Sequence, residues 1–340
     1  MGRTRQDVST KLAAALKAQQ DGVPLVVERQ SFSQFASSWL TTVRPSLKPR
    51  TWYRYEQLLR VHALPAIGRL PLSKLAPQQL QALYAEMQAN GSAPATIRQL
   101  HAVVHRALRQ ALRWNLVARN VADLVTAPRV PRTEMQVLSP EEARCLLEAA
   151  RGDRLEALYV LALTTGMRQG EILALHWKDV DLDRGTVNVR FTLHHVRDGF
   201  VFTDPKSSRS RRQIALTEAA RSALRQHRIA QAEERLRAGP AWQGQDLVFA
   251  NPQGGPLDGT FLLRRRFHPL LGKAGLPKIR FHDLRHTAAT LLLGQGIHAK
   301  IVSEMLGHSN IAITMDLYSH VTPTMQQEAA RALDALLARP

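Results

Sequence analysis

Apolar residues recur at helical spacing through residues 32–125, and they fall into four separate stripes. The stripes are Phe32, Phe35 and Trp39; Trp52, Tyr55, Leu58 and Leu59; Leu80, Leu83 and Met87; and Ile97, Leu100, Val104, Leu108 and Leu112. An Asn-Gly dipeptide at residues 90–91 breaks the chain before the fourth stripe. The pattern therefore predicts a compact bundle of four helices, preceded by one short amphipathic helix over residues 8–18.

A proline-containing segment separates this bundle from the rest of the chain. Two prolines interrupt residues 127–133, which also carry basic side chains, so the segment is predicted to be an extended linker. Ser139, Pro140 and Glu142 then have the pattern of a capping box, with proline at the first helical position. This pattern indicates the start of a second domain.

The second domain combines strand and helix patterns. Alternating residues predict strands over 186–191 and 212–216, joined in a small antiparallel sheet. Helical spacing returns over residues 218–236, 262–271, 283–293, 299–306 and 325–337. Gly307 is predicted to end the fourth of these helices. The predicted fold is mainly α with a small antiparallel sheet, an α+β fold in two domains.

The chain is strongly basic, and its charge is uneven. Its 340 residues carry a formal net charge of +18. Residues 1–130 hold 18 Lys and Arg against 6 Asp and Glu, whereas the remainder holds 28 against 22. The N-terminal third is therefore the stronger candidate for binding a polyanion such as nucleic acid.

Membrane and disulfide-rich classes of protein fit this sequence poorly. The longest apolar runs, such as residues 155–163, are far shorter than the roughly 20 residues of a spanning helix, and no signal peptide is visible. Cys145 is the single cysteine, so the chain has no intramolecular disulfide and no cysteine cluster for zinc. These features predict a cytoplasmic protein with no membrane partner.

The C-terminal part of the chain carries side chains suited to phosphodiester chemistry. In order they are Arg168 within Thr-Gly-Met-Arg-Gln-Gly-Glu, Lys206 after Asp-Pro, His282 and Arg285 within His-Asp-Leu-Arg, His308 after Leu-Gly, and Tyr318 ten residues later. A lone His-x-x-Arg would be weak evidence, whereas the whole ordered set is specific. In these motifs and their order the chain resembles the tyrosine recombinase (phage integrase) family.

The resemblance implies a two-domain, C-shaped clamp on DNA. Residues 1–30 would be a short basic extension, without the arm-binding domain with which many such integrases begin. Residues 31–126 would form a helical core-type DNA-binding domain, 127–137 a linker, and 138–340 the catalytic domain with a C-terminal tail helix. The implied activity is site-specific cleavage and rejoining of DNA strands, which integrates and can also excise a phage or mobile element.

Metal-free cleavage of a phosphodiester needs a nucleophile, cationic donors for the non-bridging oxygens and an acid for the leaving oxygen. Tyr318 is the candidate nucleophile, which would give a 3′-phosphotyrosine and a free 5′-hydroxyl. Arg168 and Arg285 are candidates to clamp the phosphate, because a guanidinium donates two parallel hydrogen bonds and stays charged. Glu171 follows Arg168 by three residues and could orient it; a purely structural ion pair is the alternative for this arginine.

The resemblance assigns three further groups. His282 would manage protons at the phosphate, as a base for the tyrosine, and His308 would donate to a non-bridging oxygen. Lys206 matches the family's lysine and would protonate the departing 5′ oxygen. No acidic or cysteine ligand stands at metal-binding spacing beside these histidines, so neither a metal nor another cofactor is expected.

Two basic sets are candidate DNA contacts. One lies on the fourth predicted helix and comprises Arg98, His105, Arg106, Arg109 and Arg113. The other follows the lysine and comprises Arg209, Arg211 and Arg212. A solvated basic face is the alternative for each set. In so basic a domain, however, we expect the helix with the first set to face a DNA groove.

The expected partners are double-stranded DNA attachment sites and further copies of the chain, joined into a tetramer on DNA through the C-terminal tail. A host DNA-bending protein and an excisionase are further candidates. A type IB topoisomerase or a recombinase that resolves chromosome dimers would use the same chemistry. The integrase-like motifs and the long segment from residue 176 to 216 favour an element-borne integrase. A non-catalytic DNA-binding protein is disfavoured because all six catalytic positions are filled.

Overall fold

The computed structural model describes residues 30–131, 135–204, 211–308, 310–312, 314 and 315, with the isolated residues Gln6, Ser9, Asp334 and Leu337. The chain divides into two compact units, Met1–Thr133 and Glu134–Pro340. Apart from those isolated positions, the helices predicted over residues 8–18 and 325–337 lie outside the described residues. Within the described part, no helix is long and apolar enough to cross a membrane.

The first unit is a helical bundle. Its helices are α1 (Phe32–Val43), α2 (Pro49–Leu58), α3 (Leu64–Ile67), α4 (Pro77–Ala89) and α5 (Pro94–Arg113). A π-helical turn, Leu59–Ala63, joins α2 to α3. The four predicted helical segments are thus confirmed. Most residues of the stripes form one buried core, although Leu112 at the end of α5 is exposed.

Local sequence explains where these helices begin. Ser31 caps α1, because its hydroxyl accepts the amide hydrogen of Gln34 while the Gln34 side chain accepts the Ser31 amide hydrogen. Both α4 and α5 begin with proline at a position where the missing amide hydrogen is no loss. Trp39 on α1 stacks on Tyr55 of α2 with ring centroids 6.0 Å apart, which joins two of the stripes.

The second unit contains the remaining α-helices of the described residues. They are α6 (Pro140–Ala150), α7 (Glu156–Thr165), α8 (Gln169–Leu173), α9 (Glu218–Ala238), α10 (Gly259–Leu262), α11 (His268–Lys273), α12 (Phe281–Gly294) and α13 (Ala299–Leu306). The predicted capping box at Ser139 is present at the start of α6. Helix α7 is buried on almost every side and forms the centre of this unit's core.

Five short strands accompany these helices in the described residues: β1 (Val180–Asp181), β2 (Thr186–Val189), β3 (Thr192–Val196), β4 (Gly199–Thr203) and β5 (Arg212–Ala215). Strands β1, β2 and β5 form an antiparallel sheet, in which Val187 lies opposite Ile214. This sheet confirms the prediction. Strands β3 and β4 form a separate hairpin that was not predicted, although an Asp-Gly pair at residues 198–199 is a hairpin signal.

Close packing brings the end of α7, the end of α13 and the middle of α12 together. Helix α7 ends at Gly166, whose backbone is left-handed with φ +60°. A Cβ atom on Gly166 would lie 2.3 Å from Leu306 at the end of α13 and 3.5 Å from Ala288 in the middle of α12. Glycine is therefore required at this point for both its backbone conformation and its size. The motif residues predicted from the sequence lie around this meeting point.

Candidate active site

Arg168 is fixed at the start of α8 by Glu171. Its Nη1 donates to Glu171 Oε1 at 2.7 Å, and its backbone amide donates to Glu171 Oε2 at 3.0 Å. Gly170 lets α8 approach β3, since a Cβ there would lie 2.7 Å from Thr192 Cγ2 and 2.9 Å from Leu193 O. The side chain of Glu171 is buried, whereas that of Arg168 is 37% exposed. The predicted orienting contact is therefore present, and the arginine remains accessible.

Arg285 lies on α12 and is almost completely buried. Its Nη1 donates to the Gly166 carbonyl oxygen at 2.8 Å, so the left-handed end of α7 supplies its anchor. Its Nη2 is buried and has no hydrogen-bond partner among the described residues. Burial and the nearby charge of Arg168 lower the pKa of Arg285 to about 9, which leaves it protonated at neutral pH. A buried, charged, unpaired donor is the expected state of an arginine that binds an anion.

His308 follows the left-handed Gly307 and turns inward, as predicted. Only 9% of the residue is exposed. Its Nδ1 lies 2.8 Å from the hydroxyl of Thr314, which is fully buried. Burial, followed by the positive charges of Arg285 and Arg168, lowers the pKa of His308 to about 3. The ring is therefore neutral, and a Thr314 hydroxyl donating to Nδ1 would leave Nε2–H as the donor on the opposite side.

His282 lies one turn before Arg285 on α12, but the two side chains differ in exposure. His282 is exposed, whereas Arg285 is buried. The His282 ring meets the His286 ring in a T-shaped contact with centroids 4.8 Å apart. Partial desolvation, followed by the charges of His286 and Arg285, lowers the pKa of His282. A neutral imidazole at an open edge of the site is available as a base.

The pKa of His308 predicts how stability depends on pH. The unfolded chain takes up a proton on this ring near its ordinary pKa of about 6.5, whereas the folded protein does not until the pH approaches 3. The free energy of unfolding should therefore fall by about 2 kcal/mol between pH 7 and pH 5 from this group alone. Urea unfolding of the wild type and of His308→Gln at pH 7 and pH 5 measures this fall in the free energy of unfolding. An equally steep fall in the variant would show that the ring does not cause the loss.

Comparison with known proteins decides the family. The model of the phage integrase family matches residues 136–325, which is more than half of the chain. The chain belongs to the phage integrase family of tyrosine recombinases. A second model, the N-terminal SAM-like domain of phage integrases, matches residues 31–88.

Two curated relatives align along almost the whole chain. A tyrosine recombinase XerC-like protein of Caldanaerobacter subterraneus subsp. tengcongensis is 30% identical over 355 residues, covering 98% of this chain and 90% of the relative. An integrase of Streptomyces ambofaciens is 29% identical over 349 residues, covering 99% of this chain and 88% of the relative. The family, and with it the enzyme class of tyrosine recombinases, is thus confirmed.

Solved integrase structures share the fold. The Tn1549 transposon integrase in complex with transposon right end DNA superposes with a TM-score of 0.71 at 22% identity, over 91% of this chain and all of that one. A lambda integrase dimer bound to a core site gives a TM-score of 0.61 at 19% identity, over 83% of this chain and 94% of that one. These likenesses confirm the predicted fold class for the tyrosine recombinase.

Several catalytic and DNA-contact predictions fall outside the described residues. Lys206 and Arg209 belong to residues 205–210, and Tyr318 belongs to residues 316–333. The structure therefore describes Arg168, His282, Arg285 and His308 of the six predicted catalytic groups. Thr314, four residues before Tyr318, is described, and its hydroxyl contacts the ring of His308.

The prediction of Arg212 as a surface contact to DNA is wrong. Its side chain is only 6% exposed, and its Nη2 lies 2.9 Å from Glu171 Oε2. Its Nε also donates to the Met305 carbonyl oxygen at 2.6 Å. The arginine therefore belongs to the interior of the tyrosine recombinase site. Arg211, its neighbour, is exposed and pairs with the exposed Asp204 at 2.8 Å, so it stays a candidate contact.

Most of the basic set predicted on α5 is exposed. Arg98, Arg109 and Arg113 are exposed on the helix. His105 is half-buried and its Nε2 lies 2.6 Å from a carboxylate oxygen of Asp123, and its contact with DNA stays a prediction. Arg106 is exposed but donates to the Tyr55 hydroxyl at 3.2 Å. Asp123 lies outside the helix, and a partner so distant along the chain leaves no trace in helical periodicity.

Sequence reasoning missed two features of this recombinase. The buried Thr314 hydroxyl beside His308 gives no signal except its position four residues before the tyrosine. Arg264, Arg265 and Arg266 are all exposed on the π-helical turn Leu263–Phe267 between α10 and α11. Three consecutive arginines were a visible signal, and π-helical turns are frequent at functional sites. In the described part of the chain, no cluster of His, Cys, Asp and Glu is placed to hold a metal ion.

Proposed function

We propose that this protein is a site-specific recombinase that integrates, and also excises, the DNA of a phage or other mobile element. The observation that carries the proposal is the buried, unpaired Nη2 of Arg285, close enough to Arg168 for the charges of the two guanidiniums to interact. Two neutral histidines accompany this pair of cations. A tetrahedral oxyanion with several acceptor oxygens is the ligand that such a set of donors fits.

The chemistry proposed for the site is transesterification. The hydroxyl oxygen of Tyr318 would attack the scissile phosphorus, losing its proton to His282, while the bond to the 5′ oxygen breaks and Lys206 protonates that oxygen. Arg168, Arg285 and His308 would donate to the non-bridging oxygens, which carry most charge in the pentavalent transition state. Because the phosphotyrosine retains the ester bond, a different 5′-hydroxyl can attack it and rejoin the strand without ATP.

A covalent adduct tests the proposal directly. The substrate is a nicked duplex of the core site, taken from the direct repeats that flank the element carrying the gene. Cleavage next to the nick releases a short fragment, so the reverse reaction is prevented and a protein-DNA band accumulates on a denaturing gel. We expect this band with EDTA present, since no step uses a metal. A band that forms only with added magnesium or zinc would overturn the mechanism.

The rival functions differ from the proposed one in their products. A type IB topoisomerase would relax supercoiled plasmid without a second site, and a chromosome-dimer recombinase would act on a chromosomal site of its host. Similar proteins favour the element-borne function, because they include the ICEBs1 integrase of Bacillus subtilis, a putative prophage phiRv2 integrase and the transposase from transposon Tn916. Two assays separate these functions. One measures recombination between the two ends of the element, and the other measures relaxation of a supercoiled plasmid that contains neither end.

We propose duplex DNA as the partner of both units. The neighbouring Tn1549 and lambda integrase structures are DNA complexes. In this chain, residues 31–126 would grip the core site through the basic face of α5, residues 127–137 would serve as a linker, and residues 138–340 would hold the reacting phosphate. Arg264, Arg265 and Arg266 are additional candidates for contact with the DNA backbone, because all three are exposed and closely spaced.

Removal of charge from α5 should weaken DNA binding most at low salt. The triple variant Arg98→Ala, Arg109→Ala, Arg113→Ala should reduce the slope of log Kd against log salt by about 0.9 for each phosphate that is no longer neutralised. A matched control is Arg144→Ala, Arg151→Ala, which removes exposed arginines paired with glutamates on α6 or just after it. Equal slopes for the triple variant and the wild type would place the DNA surface elsewhere.

The assignment of the general acid can be tested separately. Lys206→Ala should lower the rate of strand cleavage on ordinary DNA by about two orders of magnitude, the range of general acid catalysis. A 5′-bridging phosphorothioate should restore that rate, because a sulfur leaving group needs no proton. Arg168→Ala is the control, since loss of a phosphate donor should not be rescued. Failure of the sulfur substrate to rescue Lys206→Ala would move the acid to another residue.

Recombination between two duplexes also requires several copies of the chain. We propose that the tail after Tyr318 docks on a neighbouring copy and joins four protomers on synapsed DNA. A host DNA-bending protein and an excisionase would then set the direction of the reaction. The protein would act in the cytoplasm on the nucleoid, where its attachment sites lie.

A further inference from the structure

Arg212 connects three parts of the catalytic unit. It begins β5, where it lies opposite Val189 of β2, and β5 follows the segment that contains Lys206. Its guanidinium holds Glu171, and its Nε holds the last turn of α13 through the Met305 carbonyl oxygen. Its side chain also covers Gly307, where a Cβ would lie 3.1 Å from both Arg212 Cδ and Nη1. Any larger residue at 307 would displace this arginine.

Glu171 lies between two arginines and is shared by them. Arg168 Nη1 approaches Oε1 at 2.7 Å, and Arg212 Nη2 approaches Oε2 at 2.9 Å. Burial by itself would raise the pKa of Glu171, but the charges and hydrogen bonds of Arg212 and Arg168 outweigh it and lower the pKa. One carboxylate thus faces two guanidiniums, so the pair of arginines keeps a net positive charge.

We propose that Arg212 is a positioning residue that restrains Glu171 and thereby keeps Arg168 available to the scissile phosphate. A carboxylate and a guanidinium prefer a bidentate pair with two parallel hydrogen bonds. Arg212 pairs with both oxygens of Glu171, Nη2 with Oε2 at 2.9 Å and Nη1 with Oε1 at 3.4 Å, and Oε2 also accepts the Arg168 amide hydrogen. The Arg168 side chain therefore reaches Glu171 through Oε1 alone. Without Arg212, the carboxylate would close a bidentate pair with Arg168 and compete with the DNA phosphate for its donors. The inference rests on the proposed function, because it concerns the same phosphate site.

Two alternative roles for Arg212 give different expectations. A DNA contact would make its loss weaken DNA binding, but the side chain is buried beneath Gly307 and Met305. A purely structural role, in which Arg212 only neutralises the buried Glu171, would make its loss reduce stability without a specific effect on the rate of cleavage. Only the positioning role predicts that a second change at Glu171 restores cleavage.

The experiment measures single-turnover cleavage of the nicked core-site duplex at saturating full-length protein, with the half-site Kd measured separately. Arg212→Gln should slow cleavage by about 10- to 100-fold and change the Kd by less than about threefold, as expected when a donor to the transition state is displaced. The double variant Arg212→Gln, Glu171→Gln should cleave at least about fivefold faster than Arg212→Gln, because the competing carboxylate is gone. Arg212→Lys should fall between Arg212→Gln and the wild type.

The matched control is Arg154→Gln. Arg154 also bonds one glutamate and one carbonyl oxygen, with Nη2 2.7 Å from Glu234 Oε2 and 2.9 Å from the Ala250 oxygen. Its loss should lower the melting temperature as Arg212→Gln does, yet leave cleavage within about threefold of the wild type. If Arg212→Gln does not fold, Arg212→Lys with and without Glu171→Gln gives the same comparison.

Each outcome decides the inference. A double variant no faster than Arg212→Gln, a Kd that rises as much as the rate falls, or an unchanged rate in Arg212→Gln would overturn it. A wild-type protein that forms no adduct would refute the proposed function instead. A wild type that forms the adduct while the variants fail to follow the expected order would refute the positioning role alone.

Discussion

Tyr318→Phe should form no covalent adduct with DNA while binding the core site as tightly as the wild type. The substitution removes a single oxygen atom, the proposed nucleophile, and leaves the ring and every cationic donor in place. The expected loss is therefore complete within the sensitivity of the gel, a larger effect than we expect from any other single substitution in this chain. Cleavage of the nicked duplex and the half-site Kd are measured on the same preparation.

The control for this variant is Tyr159→Phe. Tyr159 belongs to the same unit, but it is 1% exposed on α7, and burial raises the pKa of its hydroxyl, so it is unsuited to attack. Its variant should retain the adduct. An adduct that survives in Tyr318→Phe and disappears when a different tyrosine is changed would identify that other residue as the nucleophile.

Arg285→Ala and Arg168→Ala should each slow cleavage by about two or more orders of magnitude. This is the scale observed when one preorganised donor is removed from a transition state. For Arg285 the structural basis is that, among the described residues, Nη1 bonds Gly166 O and Nη2 has no partner, which would leave Nη2 for the phosphate. For Arg168 it is the exposed guanidinium held by Glu171. Single-turnover rates at saturating protein separate this loss from weaker binding.

Arg285→Lys and Arg168→Lys distinguish charge from geometry. A lysine retains the positive charge but lacks the planar fork that donates two parallel hydrogen bonds. We expect the lysine variants to bind DNA like the wild type and still to cleave at least about tenfold more slowly. Rates within about threefold of the wild type in the alanine variants, with normal folding, would mean that these arginines are structural.

Much of the fold was predictable because its signals are local. The stripes of the first unit, the capping box at Ser139 and the left-handed Gly307 each depend on residues within a few positions of one another. The hairpin of β3 and β4 was missed for a different reason. Its alternation is broken by two adjacent histidines on β3, so the Asp-Gly signal at its turn had no clear pair of strands to join.

The site could be predicted only in part. The motif order gave Arg168, His282, Arg285 and His308, and the spacing of Arg168 and Glu171 gave their contact. The burial of Arg212 could not be predicted, because its partners Glu171 and Met305 are 41 and 93 residues away along the chain. A basic residue in a basic run resembles its exposed neighbours until tertiary contacts distinguish it.

The unpaired Nη2 of Arg285 also affects how long the protein persists. A buried donor without a partner reduces the stability of a folded protein by about 1–3 kcal/mol, and more when the group is charged. If Arg285 binds a DNA phosphate as proposed, the phosphate supplies the missing acceptor, and we expect the protein to be more stable on its site than off it. Proteases act on the transiently unfolded fraction, which is larger for the unbound protein. We therefore expect unbound copies to be degraded faster than copies on an attachment site, so that turnover couples the amount of recombinase to the DNA available to it.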